Sequence, residues 1–317
     1  MVTPMTHRQH FDFYIASCDT EGGILKCRFA ENSVEILEKT TLDRPMYMAF
    51  NGDKMEVILR DPENKNESGL VTLDICSLKQ KGQVISTKGN VACHLCVLDG
   101  NVYCANYLSG SVIKMPDKVV THSGKGINEK RQEMPHVHYI NSFDGKYLLC
   151  TDLGTDEIYT YDKDLNEISR VKIPSRHGPR HLDFFNGKVY CLNELKSTLS
   201  ILGYDDGKLT LNETVGVLPE DFKGESYSSA IRVKDRYIYT SNRGHNSISV
   251  IEPQNSGARL IKTVDCGGKW PRDFNIFGKI LVCTNEESDN VTFFELKDGI
   301  PEKIDLELKV KSPICVI

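Results

Sequence analysis

The apolar positions of this chain fall in short runs that each end on a polar residue: VYCAN, YLLCTD, VYCLNE, YIYTSN and LVCTNE. Runs rich in Val, Ile, Tyr and Leu between Gly, Asn and Asp turns predict strands, and no stretch keeps a 3.6-residue period for the length of a helix. The turns are of one kind, DGN at 99–101, DGK at 144–146, NGK at 186–188 and FGK at 277–279. That is the chemistry of a tight hairpin, so the pattern predicts antiparallel strand pairs in succession.

The hairpins repeat. PMYMAF, ACHLCV, HVHYI, GPRHLDF, YSSAIRV, WPRDFNI and SPICVI align on one column holding Tyr47, His94, His138, His181, Ser229, Asp273 and Cys315, at intervals of 47, 44, 43, 48, 44 and 42 residues. A second column is tighter: a polar residue closes one strand and an aliphatic opens the next six positions on, in Asn106/Val112, Asp152/Ile158, Asn193/Leu199, Asn242/Ile248 and Asn285/Val291, with Cys18/Ile24 at the same spacing. Units of this size with about four strands each predict an all-β, seven-bladed propeller of four-stranded antiparallel blades, one domain over 1–317. SPICVI supplies only the first strand of a blade, and FDFYIASCDTEGGILKCRF supplies later strands without that first one. Pairing of the two termini is therefore expected to close the ring and leave few open edges.

Charge narrows the partners. With 39 Lys and Arg against 44 Asp and Glu the net charge is −5, and no basic run tracks a phosphate backbone, which argues against nucleic acid. No segment approaches the roughly 20 apolar residues of a membrane span, and MVTPMTHRQHFDFYIA lacks the apolar centre of a leader; a cytoplasmic location is expected. The 11 cysteines sit mostly within apolar runs, as small hydrophobes rather than a disulfide framework. ACHLC has no second cluster to complete a metal site, so neither metal nor cofactor is expected.

Residues equidistant from a hairpin turn face one another. By that rule Arg180 pairs with Glu194 about Gly187 and His138 with Asp152 about Gly145; Arg272 and Asn285 fall either side of Gly278, while Arg243 follows Asn242 as Glu194 follows Asn193. One mouth of the propeller would thus collect His138, Arg180, His181, Glu194, Arg243 and Arg272. The polar column itself reads as strand-end structure. The position after it changes from Leu153 to Glu194 to Arg243, and such irregular charge in a repeat marks Glu194 and Arg243 as functional. His94 and His181 share the repeat column and read first as structural, His181 second as substrate-binding. His136 and His177 read as loop residues, Asp144 and Asp183 as solvated, and the Ser, His and Asn of NRGHNS as turn chemistry. No G-x-S-x-G elbow or Walker loop is present.

GPRH at 178–181, NEL at 193–195, SNRG at 241–244, WPRDFNI at 270–276, HVH before DGKYLLCTDLGTD, and ANYLSGSV together resemble the seven-bladed lactonase family, which includes bacterial 6-phosphogluconolactonases and the fungal carboxymuconate cycloisomerase. The resemblance implies catalytic roles for His138, Arg180, Arg243 and Glu194, with Arg272 at the same mouth. It implies cofactor-free hydrolysis of a small lactone, 6-phosphogluconolactone foremost, with a carboxymuconate-type cycloisomerase and a non-catalytic binding scaffold as rival readings. Glu194 and His138 both stand as the base, since clustered arginines would keep Glu194 ionised but weaken it. Arginines would steady the oxyanion and an anionic substituent. Replacing Glu194 or Arg180 is expected to cut the rate and leave thermal stability nearly unchanged.

Overall fold

The computed structural model describes residues 10–62 and 65–317. The first nine residues, where part of the leader reading falls, lie outside them. Seven four-stranded antiparallel sheets are arranged as the blades of a propeller, and among the described residues the only helix is a single 3-10 turn at Glu286–Ser288. Among the described residues no helix is long and apolar enough to cross a membrane. The innermost strands, in blade order 1 to 7, are Pro313–Val316, Pro45–Asn51, Ala92–Leu98, Val137–Asn141, Pro179–Phe185, Tyr227–Lys234 and Pro271–Phe277. Blade 1 is closed as expected: Pro313–Val316 pairs antiparallel with His10–Ser17, Cys315 opposite Ala16.

The core lies between the blades. Seven apolar clusters lie between neighbouring blades, as where Tyr190, Leu192, Leu199 and Ile201 of blade 5 meet Ile231, Ile238 and Ile251 of blade 6. Second strands are covered on both faces, so Tyr237–Arg243 is buried throughout. An outermost strand such as Lys208–Gly216 faces water and is largely polar. This is why the second strands stand out as unbroken apolar runs, each fully buried large side chain contributing about 1.5–3 kcal/mol. All 11 cysteines are free and nine are buried, consistent with packing roles.

One irregularity recurs in every blade. The pairing of the two inner strands slips by one residue near the start of the innermost strand. The extra residue is Met46, Cys93, His138, Arg180, Arg272 or Ile314 in six blades, and in blade 6 the slip falls between Ser228 and Ile231. These are β-bulges, which bend a strand and re-aim a side chain. They correct the equidistance rule in two blades, where Pro179, not Arg180, faces Asn193 and Val137 faces Asp152; in blade 7 it is Pro271, not Arg272, that faces Asn285. They also correct the repeat column, because the inserted residue reverses the alternation before it. His138 belongs with Cys93, Arg180 and Arg272, and Tyr139 is the counterpart of His94 and His181.

Candidate active site

Two rings of side chains meet at the end of the channel where the bulges lie. The first is the bulge ring. The second consists of the residues at the ends of the second strands, namely Arg60, Tyr107, Leu153, Glu194 and Glu286, each one position beyond a strand end, and Arg243, the last residue of its strand. The residues just before this ring anchor the turns: Asn193 Nδ2 donates to Thr198 and Ser200 at 3.0 and 2.9 Å, Asn242 Nδ2 to Ser247 and Ser249 at 3.1 and 2.8 Å, and Asp152 accepts from His136 N and Gly154 N at 2.8 and 2.9 Å. With the strand end fixed in this way, the next side chain projects over the channel. The rings enclose a cavity of about 210 Å³ whose walls include Cys93, His138, Arg272, Arg60, Tyr107, Glu194 and Arg243, with Arg131 reaching in from a loop.

Glu194 is the centre of charge. Its Oε2 accepts from Arg180 Nε at 3.1 Å and Arg243 Nη2 at 2.8 Å, and its Oε1 from Arg131 Nη2 at 2.5 Å. Burial by itself would raise its pKa, but Arg243, Arg180 and Arg131 outweigh it and hold the carboxyl well below the usual range. The backbone places it too: Glu194 N donates to Gly178 O at 2.8 Å, and Gly178 adopts φ +64°, a conformation that suits glycine. Arg180 is bolted by Nη1 to Ser229 O at 2.6 Å; Arg243 reaches Tyr227 O at 3.1 Å and lies over the Trp270 ring at 5.4 Å. Arg272 pairs with Glu286 at 3.3 Å. Five guanidiniums in and behind the cavity thus face two carboxylates, and the site is cationic.

His138 lies on the cavity wall with Nδ1 3.8 Å from Cys93 Sγ and its ring edge-on to Tyr107. Burial, then the charge of Arg180, pulls its pKa well below 6.5, so it is a neutral imidazole at pH 7. The same burial pushes the Cys93 thiol up to about 12, which keeps it inert as a nucleophile. His181 does not reach the cavity. Its ring packs within 5.5 Å of His94, His138 and Tyr139 and helps to plug the channel. Beyond the plug lies a second cavity of about 370 Å³ walled by Tyr47, His94, Tyr139 and Arg232. A wider groove of about 790 Å³ on the hairpin-turn side is lined by turn residues such as Asn186, Arg236 and Gln254, without a buried ionised group.

Of the six residues singled out from the sequence, His138, Glu194, Arg243 and Arg272 line one cavity, Arg180 supports Glu194 from behind, and His181 stands in the plug. His136 and His177 are loop residues, Asp144 is exposed in its turn, and His245 Nδ1 lies 2.7 Å from Ser247 Oγ within NRGHNS. Asp183 is not solvated: it is half-buried and accepts from Val233 N of the next blade at 2.7 Å. Sequence reasoning missed Arg60, Tyr107 and Arg131. The first two carried a signal, since they follow their strands at the position of Glu194 and Arg243. Arg131 carried none, because its loop has no counterpart in the other repeats. Among the described residues no three of His, Cys, Asp and Glu converge as metal ligands.

The comparisons agree with the seven-bladed architecture. The family model described as Lactonase, 7-bladed beta-propeller matches residues 12–317. An uncharacterized protein of Staphylococcus aureus (strain USA300) is 32% identical over 302 residues, covering 86% of this chain and 88% of that one. Among solved structures, a Lactobacillus plantarum protein superposes with a TM-score of 0.88 at 24% identity, covering 97% of this chain and 99% of that one. A protein of Bacteroides fragilis NCTC 9343, provisionally named a 6-phosphogluconolactonase, gives 0.85 at 23%, covering 100% and 99%. The periplasmic gluconolactonase of Pseudomonas aeruginosa gives 0.83 at 20%, covering 98% and 99%. At these identities the structural likenesses establish the fold.

Proposed function

This chain belongs to the seven-bladed lactonase family, and from that premise we propose that it hydrolyses the ring ester of a sugar lactone carrying an anionic group, with 6-phosphogluconolactone the first candidate. The observation that carries the reading is the cavity itself, where guanidiniums outnumber carboxylates around one ionised glutamate and one neutral histidine. Opening a lactone needs a group to take a proton from water, donors for the oxyanion, and a proton for the departing ring oxygen. Arg180 and Arg243 hold Glu194 and supply cationic charge beside it. Arg272 and Arg60 lie across the cavity, where planar guanidiniums suit a phosphate or carboxylate. Glu194 and His138 are the cavity groups able to carry the proton. Tyr107 gives the cavity wall a flat apolar surface for a sugar ring.

The test follows hydrolysis of freshly prepared 6-phosphogluconolactone against its spontaneous background, with and without a chelator. Catalysis unaffected by chelator is expected, since one arginine-bound carboxylate beside several guanidiniums is a poor cation site. A rate equal to the background would overturn the phosphosugar reading.

A further inference from the structure

We propose that Arg131 is a substrate-operated latch on Glu194: an anionic group entering the mouth draws the Arg131 guanidinium to itself and frees one carboxylate oxygen to take a proton from water. The inference rests on lactone hydrolysis being the reaction. It begins with the inequality of the two oxygens. Oε2 is held by Arg180 and Arg243, whose side chains are only 3% and 6% exposed and are tied to the backbone carbonyls of Ser229, Tyr227 and Ser228. Oε1 is met by Arg131, whose side chain is 36% exposed. Its other contacts are the Tyr107 hydroxyl at 3.5 Å and the Tyr227 ring at 5.9 Å, neither a strong anchor.

The loop beneath Arg131 is fixed. Gln132 is fully buried, donates from Nε2 to Leu153 O at 2.9 Å and from its backbone N to Asn128 O at 2.7 Å. What is free to swing is therefore the arginine side chain on a riveted base. A phosphate dianion offers the planar fork two oxygens and more charge than a carboxylate oxygen already sharing its charge with two other arginines. The exchange leaves Glu194 facing Arg180 of blade 5, Arg243 of blade 6 and His138 of blade 4, with Arg272, Tyr107 and Cys93 farther off and Glu286 occupied by Arg272. With one cation removed, its proton affinity rises. Glu194 Oε1 then takes a proton from water as the water oxygen bonds to the lactone carbonyl carbon and the carbonyl electron pair moves onto its oxygen. When that pair returns, the ring C–O bond breaks and the proton passes to the leaving oxygen, giving the hydroxy acid. An uncharged lactone finds Oε1 still latched, so the device selects for charge as well as activating the base.

The experiment compares 6-phosphogluconolactone with uncharged gluconolactone, the latter with and without inorganic phosphite as a detached anion, in the wild type, Arg131→Ala and Arg131→Lys. In the wild type, phosphite should speed hydrolysis of the uncharged lactone by about tenfold. Arg131→Ala should lose that response, lower kcat/KM for the phosphorylated lactone by about tenfold or more, and raise kcat for the uncharged one. The acidic limb of its kcat profile should move to higher pH, because Glu194 has lost a cation; Arg131→Lys should restore the limb and part of the phosphite response. Equal losses on both lactones with an unmoved limb, or a wild type indifferent to phosphite, overturn the latch and leave the lactonase reading standing. A wild type that hydrolyses neither lactone overturns that reading and the latch with it. If the alanine variant does not fold, Arg131→Lys decides through the phosphite response alone.

Discussion

Glu194 is 3% exposed and yet ionised, a state it holds only because guanidiniums occupy both of its oxygens. Removing the charge leaves Arg180 and Arg243 buried against a neutral amide, and breaking a buried pair of this kind costs about 3–5 kcal/mol. Glu194→Gln is therefore expected to lower the unfolding free energy by about 3 kcal/mol in urea titration as well as to abolish activity. This departs from the expectation drawn from sequence that stability would be nearly unchanged, because the structure buries the carboxylate among guanidiniums. Arg180→Ala should cost less, since Glu194 keeps two partners. The double variant should then be less damaged than the sum of the singles, because the residues belong to one network. A Glu194→Gln protein as stable as the wild type would show that the network contributes no net stability.

At the scale of strands, the hairpins, the seven repeats and the closing strand were legible because apolar alternation and turn chemistry are local and recur. The bulges were not, since one inserted residue changes no composition; it only exchanges which side chain faces the channel. That is how Arg180 could be assigned to the right mouth by a pairing it does not make. The second ring was half legible: Glu194 and Arg243 stood out by charge, whereas Arg60 and Tyr107 sat unread at the equivalent position. Arg131 was illegible, because its contact with Glu194 spans 63 residues and two blades. The turn that leads into the bulged strand also makes a prediction. At Gly178, with φ +64°, an added Cβ would lie 2.7 Å from Leu195 Cγ and 3.1 Å from Leu153 Cγ, and the Gly178 carbonyl seats Glu194 N. Gly178→Ala should therefore cost about 1–3 kcal/mol for the strained conformation. Displacing Glu194 by a fraction of an ångström should also lower kcat about tenfold or more. Wild-type kcat in a folded Gly178→Ala protein would show that the strand end does not position the carboxylate.

Across the whole molecule, tilted and edge-on rings plug the channel between the two cavities. His94 lies 4.2 Å from Tyr47 and 4.1 Å from Tyr139, and His181 lies 5.3 Å from His94 and 5.5 Å from His138. Every blade contributes its innermost strand to this axis, so the plug reports on the integrity of the ring. All three imidazoles are held well below 6.5, first by burial and then by neighbouring cations, Arg180 for His138 and His181 and Arg232 for His94. In the unfolded chain they titrate near 6.5. Between that value and their lower folded values the unfolded state binds protons that the folded state refuses, so stability falls as the pH drops below about 6.5. Each such histidine contributes up to about 1.4 kcal/mol per pH unit, and the three together up to about 4. Glu194 has the opposite origin but the same sense in a lower window: its depressed pKa gives stability that is present above about 4.3 and lost as the pH falls through the folded value. Urea unfolding at pH 7.5, 6.5 and 5.5 should therefore show a steep loss across the lower interval, before carboxylate protonation sets in. His94→Phe, which keeps a ring against Tyr47 and Tyr139, should flatten that slope by up to about a third, since it removes one of the three buried imidazoles while the more exposed His177 and His245 keep their smaller shares. Equal stability at pH 7.5 and 5.5 in the wild type would mean that the imidazoles accept protons in place, and that the plug opens to water.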